Sequence, residues 1–155
     1  MPVIGCRIVE VCCFRFAKDR PEYLLLRRSP GEKIYPNLWQ FVSGAINDGE
    51  RAIDAGIREF SEETGLTPTG FWVVPFVNTF YDHDYDVVNL SPFFAAQVKP
   101  EDEPELSDEH HRYEWLPYEQ ARKRLVWPGQ RQGLDIVHTF VVGGEQAGIV
   151  TKVPM

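Results

Sequence analysis

The sequence predicts a single α/β domain in which helices pack on a mixed β-sheet. Three observations lead to this prediction. The length of 155 residues suits one domain. Several stretches are rich in β-branched and aromatic residues, whereas one segment near the middle of the chain repeats with helical spacing. The composition, 43% hydrophobic and 25% charged, is typical of a globular protein and excludes a disordered chain.

The N-terminal part of the chain is predicted to supply strands. Three segments have strand-like composition: residues 3–16, 22–28 and 38–42. A polar turn at residues 18–21 separates the first two strands. Two prolines and a glycine exclude regular structure from residues 29–37. The third strand runs directly into Ser43 and Gly44.

Residues 51–64 show the clearest helical pattern. One mainly apolar stripe recurs at helical spacing: Ile53, Gly56, Ile57, Phe60 and Thr64. Gly65 is placed to end the helix in the left-handed conformation, and Pro68 prevents its continuation.

The C-terminal half is predicted to complete the sheet and its covering helices. Strands are expected over residues 70–82 and 86–99, and helices over residues 117–125 and 129–142. Residues 82–85 suit a hairpin or a longer excursion. A proline-rich and acidic loop covers residues 100–109.

Charge and composition exclude several classes of protein. The formal charge of −7 is a poor fit to a protein that grips a nucleic acid polymer by charge alone. No stretch approaches the ~20 apolar residues of a membrane span, and the N-terminus lacks the basic flank of a signal peptide. Three cysteines, Cys6, Cys12 and Cys13, do not form a disulfide framework. We therefore expect buried thiols and a cytoplasmic protein.

Three glutamates in the predicted helix form a candidate metal site. Glu59, Glu62 and Glu63 stand at i, i+3 and i+4, so their carboxylates project from one side, largely opposite the apolar stripe. Like charges at this spacing destabilise a helix, most of all in its last turn. A hard cation, Mg²⁺ or Mn²⁺, would offset this repulsion. Arg58 can reach Glu62 one turn away. On these residues alone, a solvated acidic surface remains the alternative.

The segment from residue 44 to residue 66 resembles the signature of the Nudix hydrolases, G-x5-E-x7-R-E-U-x-E-E-x-G-U, where U is a bulky apolar residue. Every fixed position of the signature is matched: Gly44, Glu50, Arg58, Glu59, Phe60, Glu62, Glu63, Gly65 and Leu66. The resemblance implies an α/β/α sandwich over one domain, residues 1–155. It also implies metal-dependent hydrolysis of a nucleoside diphosphate linked to another group.

The resemblance assigns a role to each residue of this signature. It makes Glu59, Glu62 and Glu63 metal ligands, one of which also accepts a proton from the attacking water. It gives Arg58 the task of orienting these carboxylates, and it lets the carbonyl of Gly44 reach a metal ion. Glu50 and Gly65 are expected to be structural.

Segments outside the signature resemble the branch with dihydroneopterin triphosphate and dATP pyrophosphohydrolases: LLLRR (24–28), WQFVSG (39–44), LSDEH (106–110), YEWL (113–116) and WPGQRQ (127–132). This similarity implies that Glu109 adds a further carboxylate over the metal site, and it favours Arg27 as a phosphate ligand. His110 and His111 are expected to be solvated loop residues outside catalysis.

Candidate substrate contacts follow from the same reasoning. Successive strand residues face opposite sides, so either Arg27 or Arg28 should face the site. Arg7 is expected to form a salt bridge or to contact a phosphate, and Ser43 could donate to a phosphate oxygen. Tyr81 and His83 belong to a polar and aromatic cluster that could stack on a base or pterin, or could be a simple exposed hairpin.

The sequence therefore predicts an enzyme that cleaves a (deoxy)nucleoside or pterin triphosphate to the monophosphate compound and pyrophosphate, with Mg²⁺ or Mn²⁺. Its partner would be this small molecule, with no membrane and no nucleic acid polymer. Hydrolysis of ADP-ribose, a dinucleoside polyphosphate or another conjugate is the alternative within the class. A module that binds nucleotides without cleaving them is the rival, and the intact glutamates argue against it. The sequence does not decide whether the protein forms a homodimer.

Overall fold

The structure is a computed structural model that describes residues 1–146 and 150–155. Over that part of the chain it has eight strands: β1 (Val3–Gly5), β2 (Ile8–Ala17), β3 (Arg20–Arg28), β4 (Trp39–Gln40), β5 (Val42–Ala45), β6 (Gly70–Asp82), β7 (Val87–Gln97) and β8 (His110–Leu116). The helices are α1 (Ala52–Thr64), α2 (Tyr118–Arg124) and α3 (Pro128–Ile136). A π-helical segment, Val137–Val142, continues α3. The predicted domain, 1–155, includes residues 147–149, which lie outside the described residues.

All eight strands form one mixed sheet, as predicted. Strand β2 lies at its centre, parallel to β7 and antiparallel to β3 and β5. Strands β6 and β8 extend the sheet outward by antiparallel pairing with β7 and β3, respectively. This arrangement places the start of β8 beside the end of β3, where Arg28 is paired with His110.

Helices cover both faces of the sheet, which confirms the α/β/α sandwich. Alternate residues of β2 point to opposite faces. Val11 packs in one buried cluster with Phe60 of α1. Cys12 packs in a second cluster with Leu134 of α3 and Ala121 of α2. Among the helices in the described part of the chain, the glutamate-bearing helix α1 therefore covers one face, and α2 and α3 cover the other.

The predicted first strand, residues 3–16, is broken into β1 and β2. Val3 pairs with Val87, whereas Glu10 pairs with Phe93, so the register with β7 shifts by one residue at the break. Cys6 lies at this break, between the end of β1 and the start of β2. Cys6 is exposed, so the prediction of a buried thiol is wrong there, while Cys12 and Cys13 are buried as expected.

Two further boundaries differ from the prediction because of local pairing. Lys18 and Asp19 both adopt positive φ, 51° and 64°, which makes a two-residue hairpin turn and lets β3 begin at Arg20. The strand expected over residues 38–42 is two strands, because the chain changes partner at the buried Phe41. Strand β4 pairs with β3, and β5 pairs with β2.

The C-terminal half contains one element that the sequence did not predict. Strand β8 occupies residues 110–116, where only His110 and Leu116 are buried. Its polar composition hides the alternation on which strand prediction depends. The remaining elements agree with expectation: β6 and β7 form a hairpin, residues 100–109 connect β7 to β8 without a helix or strand, and α2 and α3 begin at Tyr118 and Pro128. No helix in the described ranges is long and apolar enough to cross a membrane.

Candidate active site

Helix α1 is positioned so that its C-terminal half enters the protein. Gly65 ends the helix in the left-handed conformation, with φ of 68°, as predicted. The buried face contains Gly56, Phe60 and Glu63, whereas Ile57 of the predicted stripe is only half-buried. Since residues three and seven apart share a helix face, Glu63 lies with the apolar residues and not opposite them. The prediction that all three glutamates project from an opposite face is wrong for Glu63.

Glu63 is a buried carboxylate with unfilled hydrogen-bonding capacity. Its exposed fraction is 2%, and neither carboxylate oxygen has a hydrogen-bond partner among the described residues. Burial raises the pKa of Glu63 to about 9, and the nearby charges of Glu109 and Glu59 act in the same direction. A buried ionised carboxylate needs a counter-charge. The donors present at this position therefore fit a divalent cation.

The loop that precedes β8 brings further donors to Glu63. Glu109 and His110 each place one potential ligand atom so that, with one oxygen of Glu63, the three atoms lie within 4.8 Å of one another. The loop is held by Ser29, whose amide donates to the carbonyl of Glu109 at 2.8 Å and whose hydroxyl donates to the carbonyl of Asp108 at 2.8 Å. The structure thus brings Glu109 and His110 next to Glu63 of α1.

Arg58 connects these carboxylates to the loop before α1. Its Nε and Nη2 donate to the two oxygens of Glu50 at 2.8 and 2.9 Å. Its Nη1 donates to Glu59 at 2.9 Å and to the exposed Glu62 at 3.2 Å. The hydrogen bonds from Arg58 lower the pKa of Glu50 to about 2. Arg58 therefore orients two of the three glutamates, and Glu50 is its anchor.

Gly44 provides the space that Glu59 occupies. A Cβ atom added at Gly44 would lie 2.0 Å from Cδ of Glu59. No side chain other than hydrogen fits between β5 and this carboxylate. Burial raises the pKa of Glu59 against the opposing effect of Arg58.

The two candidate arginines at the end of β3 face different layers. Arg28 follows the parity of Leu24 and Leu26, which pack on the α1 face. Its guanidinium opposes the rise in the pKa of Glu63, so its charge acts on that carboxylate. Arg27 lies on the other face, where it donates to the carbonyl of Asn37 at 3.1 Å and lies over the ring of Trp39 at 5.9 Å. Arg28 is thus the arginine whose charge reaches Glu63.

The other predicted substrate contacts lie at separate positions. Arg7 lies over the ring of Tyr85 at 5.5 Å, and its carbonyl accepts from the amide of Ile46 in the loop before α1. Ser43 pairs with Glu10 across β5 and β2. Tyr81 donates to Asp86 at 2.9 Å in the hairpin between β6 and β7. In the same hairpin, His83 is 84% exposed and lies 3.3 Å from Asp84.

Two groups on the α3 face were missed by sequence reasoning. Glu10 is 5% exposed and accepts hydrogen bonds from Asn78 at 3.0 Å and Gln130 at 3.1 Å. Burial raises its pKa. In the sequence, this group is visible only as one acidic residue, Glu10, inside an apolar strand. That observation does not identify Asn78 and Gln130 as its partners.

The second missed group is aromatic and partly exposed. The rings of Tyr35 and Trp127 meet edge to face at 4.9 Å. Arg124 lies over the ring of Trp39 at 4.9 Å. Trp39 is half-buried and packs against the buried cluster on the α3 face. These rings offer a stacking surface next to Arg27.

Comparisons with known proteins place the chain among proteins of one family. The family model described as NUDIX domain matches residues 7–135. An octanoyltransferase of Myxococcus xanthus is 30% identical over 133 residues, which cover 81% of this chain but 35% of that protein. The chain thus spans about a third of that relative's length. An asymmetrical bis(5'-nucleosyl)-tetraphosphatase of Rattus norvegicus is 28% identical over 125 residues, covering 77% of this chain and 80% of that protein.

Solved structures share the fold. An Ap4A hydrolase of C. elegans in a binary complex superposes with a TM-score of 0.73 at 23% identity, covering 91% of this chain and 98% of that chain. A dihydroneopterin triphosphate pyrophosphohydrolase of E. coli superposes with a TM-score of 0.69 at 24% identity, covering 87% of this chain and 95% of that chain. Both likenesses confirm the predicted sandwich.

Proposed function

Because this chain belongs to the Nudix family, we propose that it is a metal-dependent pyrophosphohydrolase that acts on nucleoside diphosphate derivatives. The preferred substrate is a (deoxy)nucleoside or pterin triphosphate, which it cleaves to the monophosphate compound and pyrophosphate. The observation that carries this proposal is the buried Glu63, whose two oxygens lack partners among the described residues, beside Glu109 and the Arg58-bound carboxylate of Glu59.

The metal ion, Mg²⁺ or Mn²⁺, would be held by five groups: Glu59, Glu62, Glu63, Glu109 and the carbonyl of Gly44. When bound, the ion neutralises phosphate charge and lowers the pKa of water. The protein's own residues prepare the site for it. Arg58 fixes the carboxylates of Glu59 and Glu62 by hydrogen bonds at 2.9 and 3.2 Å. One glutamate accepts the proton released when water attacks phosphorus.

Basic and aromatic residues at the end of β3 are proposed to bind the substrate. Arg28 presents its charge toward Glu63, and Arg27 presents its charge on the other face, beside Trp39. We propose that Arg28 contacts the phosphate chain near the glutamates, and that Arg27 and Trp39 contact the part of the substrate that extends beyond the end of β3. Arg7 and Ser43 are further proposed phosphate contacts, and Tyr81 and His83 remain proposed contacts to the base or pterin.

A second substrate has a specific observation in its favour. The Rattus norvegicus protein that is 28% identical over 80% of its own length is named an asymmetrical bis(5'-nucleosyl)-tetraphosphatase. A dinucleoside tetraphosphate contains the same phosphoanhydride bonds and carries a base at each end. The rings of Tyr35 and Trp127, which meet at 4.9 Å, provide stacking area for such a base.

A product analysis in ¹⁸O-labelled water tests the proposal. The purified chain is incubated with Mg²⁺ and a panel of nucleoside triphosphates, dihydroneopterin triphosphate, dinucleoside tetraphosphates and ADP-ribose. We expect pyrophosphate and a monophosphate compound from a triphosphate, with the label showing which phosphorus was attacked. Faster release of a mononucleotide and a nucleoside triphosphate from a dinucleoside tetraphosphate would select the second substrate instead.

Variants connect the activity to the site. Glu63→Gln is expected to lower kcat by at least about 100-fold, as for loss of a group that stabilises charge in the transition state. Glu119→Gln, a change of the same chemistry at an exposed position of α2, should leave kcat unchanged. Absence of turnover with every substrate, under conditions in which a known hydrolase is active, would contradict the proposal.

A further inference from the structure

We propose that Nδ1 of His110 is a ligand of the same metal ion, so that the site combines one imidazole nitrogen with carboxylate oxygens. This inference rests on the proposed function, because it concerns the metal centre of that hydrolase. It changes the chemistry of the centre from an all-oxygen set to a mixed set. It also gives His110, which sequence reasoning left outside catalysis, a direct role in the site.

The position of His110 is the first support. It is the first residue of β8, its exposed fraction is 3%, and the residue pairing places it opposite Arg28 at the end of β3. Its Nδ1 lies 3.6 Å from Oε1 of Glu63. That separation is too long for a hydrogen bond. It suits two atoms that each bind one ion at about 2.0–2.2 Å.

The unfilled polar atoms are the second support. Across the parts of the chain that the structure describes, Nδ1 of His110 and both oxygens of Glu63 are buried without a hydrogen-bond partner. Buried polar atoms are nearly always paired in native proteins. Here Nδ1 of His110 and Oε1 of Glu63 lie 3.6 Å apart, and all three unpaired atoms are electron-pair donors when the ring carries its proton on Nε2. A cation between them would satisfy all three.

Gln40 supplies the third support, because it can fix the ring in the required form. The amide nitrogen of Gln40, itself buried in β4, lies 3.1 Å from Nε2 of His110, so in this orientation the amide donates and the ring nitrogen accepts. A 180° rotation of the terminal amide group exchanges its nitrogen and its oxygen. The oxygen then accepts a hydrogen bond from an Nε2–H group of His110. The proton then stays on Nε2, and the lone pair of Nδ1 points toward Glu63. Metal-bound histidines almost always donate their other ring N–H to such an acceptor.

A nitrogen ligand changes which ions the site prefers. Imidazole binds Mn²⁺ and Co²⁺ more favourably than Mg²⁺, whose ligands are typically oxygen atoms. Loss of His110 is therefore expected to weaken Mn²⁺ and Co²⁺ binding more than Mg²⁺ binding. If all protein ligands were carboxylates, loss of His110 would not change the preference of the site for Mn²⁺ and Co²⁺ over Mg²⁺.

Electron spin-echo spectroscopy of bound Mn²⁺ tests the inference directly, because a coordinated imidazole nitrogen modulates the echo of the ion. The full chain is loaded with Mn²⁺ without substrate. We expect nitrogen modulation in the unchanged protein and its loss in His110→Gln. The matched control is His111→Gln, a change at the adjacent, exposed histidine of the same strand, which should keep the modulation. Calorimetry should show Mn²⁺ affinity lowered about 10–100-fold in His110→Gln only.

Each other outcome separates this inference from the proposed function. Mn²⁺ bound without nitrogen modulation would overturn the role of His110 and leave the hydrolase intact. Failure of the unchanged protein to bind Mn²⁺ or Mg²⁺ would overturn both. Should His110→Gln not fold, ¹⁵N-histidine labelling of His111→Gln gives the answer: a modulation that changes from the ¹⁴N to the ¹⁵N pattern supports the inference, and an unchanged echo overturns it.

Discussion

Glu63 shows how burial alters the chemistry of a single side chain. Its neighbour Glu62 has a side chain that is 58% exposed, whereas Glu63 is 2% exposed. Burial, together with the charges of Glu109 and Glu59, raises the pKa of Glu63 to about 9. In the metal-free protein at neutral pH, Glu63 is therefore protonated when folded and ionised when unfolded. A bound cation reverses this preference.

This difference predicts a pH-dependent stability for the metal-free protein. Well below pH 4.5 the carboxyl is protonated in both states, so the difference in Tm between Glu63→Gln and the unchanged protein should not depend on pH there. As the pH rises from about 4.5 to about 9, unfolding releases a proton, so the unchanged protein should lose stability relative to Glu63→Gln. Thermal unfolding with a chelator at pH 4.5 and pH 8.5 measures this change. A constant difference in Tm would contradict it.

Single residues of the site were predictable where a fixed motif carried them. Arg58 and Glu59 come from the fixed signature, and the structure joins them by a hydrogen bond of 2.9 Å. Glu109 comes from a looser segment outside the signature, and the structure places it beside Glu63. The burial of His110 was not predictable, because it depends on β8, whose polar sequence gave no strand pattern. The choice between Arg27 and Arg28 likewise depends on which sheet face α1 covers, and strand periodicity alone leaves that face unassigned.

At the scale of elements, the contact between β5 and α1 determines where the carboxylates lie. Ala45 of β5 accepts a hydrogen bond from Arg58 at 2.8 Å, and Gly44 packs directly on Glu59. The strand therefore positions the helix and its glutamates together. A substitution in β5 should therefore lower the activity without unfolding α1.

Gly44→Ala tests this contact. The new methyl group would occupy the position of the Glu59 carboxylate, so the carboxylate must move. It can rotate away because it is the flexible end of a side chain. We expect kcat to fall about 10–100-fold, as for a displaced metal ligand or its support, with little change in Tm. Gly31→Ala is the matched control, because a Cβ there meets nothing within 4 Å. Equal effects of the two substitutions would contradict this prediction.

Elements were predictable where their signals were local. Helix α1 begins one residue after the predicted start and ends at Thr64, because its periodicity and its glycine cap are both within the segment. The ends of the strands were predicted less accurately than the ends of α1. The breaks at Cys6 and Phe41 arise where the chain shifts register or changes partner, and such pairing is not encoded within ten residues.

At the scale of the whole molecule, the packing of α3 on the sheet closes the face opposite α1. Two glycines one turn apart allow this close approach. A Cβ at Gly129 would lie 2.0 Å from Oδ1 of Asn78, and one at Gly133 would lie 2.5 Å from Cζ of Phe93. The helix covers the buried carboxylate of Glu10, to which Gln130 donates.

Gly133→Ala is therefore expected to destabilise the whole domain. The methyl group would press on the fully buried ring of Phe93, and overpacking of this kind costs about 1–3 kcal/mol. For a domain of this size, each kcal/mol lowers Tm by about 2–4 °C. Differential scanning calorimetry measures the shift. Gln132→Ala, at an exposed position of the same helix, should leave Tm nearly unchanged, and equal shifts in both variants would contradict the packing argument.

The global architecture was predictable because several strands with one strong amphipathic helix permit few arrangements. The register of one strand against another was not predictable from the sequence. The pairing with β7 shifts by one residue between β1 and β2, and this shift changes no local sequence pattern. The same limit applies to the group of Glu10, Asn78 and Gln130, whose members come from β2, β6 and α3.

The separation of the two faces by the sheet has a consequence for protein engineering. Within β3, Leu26 packs toward α1 and Leu25 toward the opposite layer. Successive residues of this strand therefore contact two different layers, one that contains the glutamates of α1 and one that contains α3. Substitutions restricted to the rings of Tyr35 and Trp127 and to α3 would leave the layer that contains Glu59 and Glu63 unchanged.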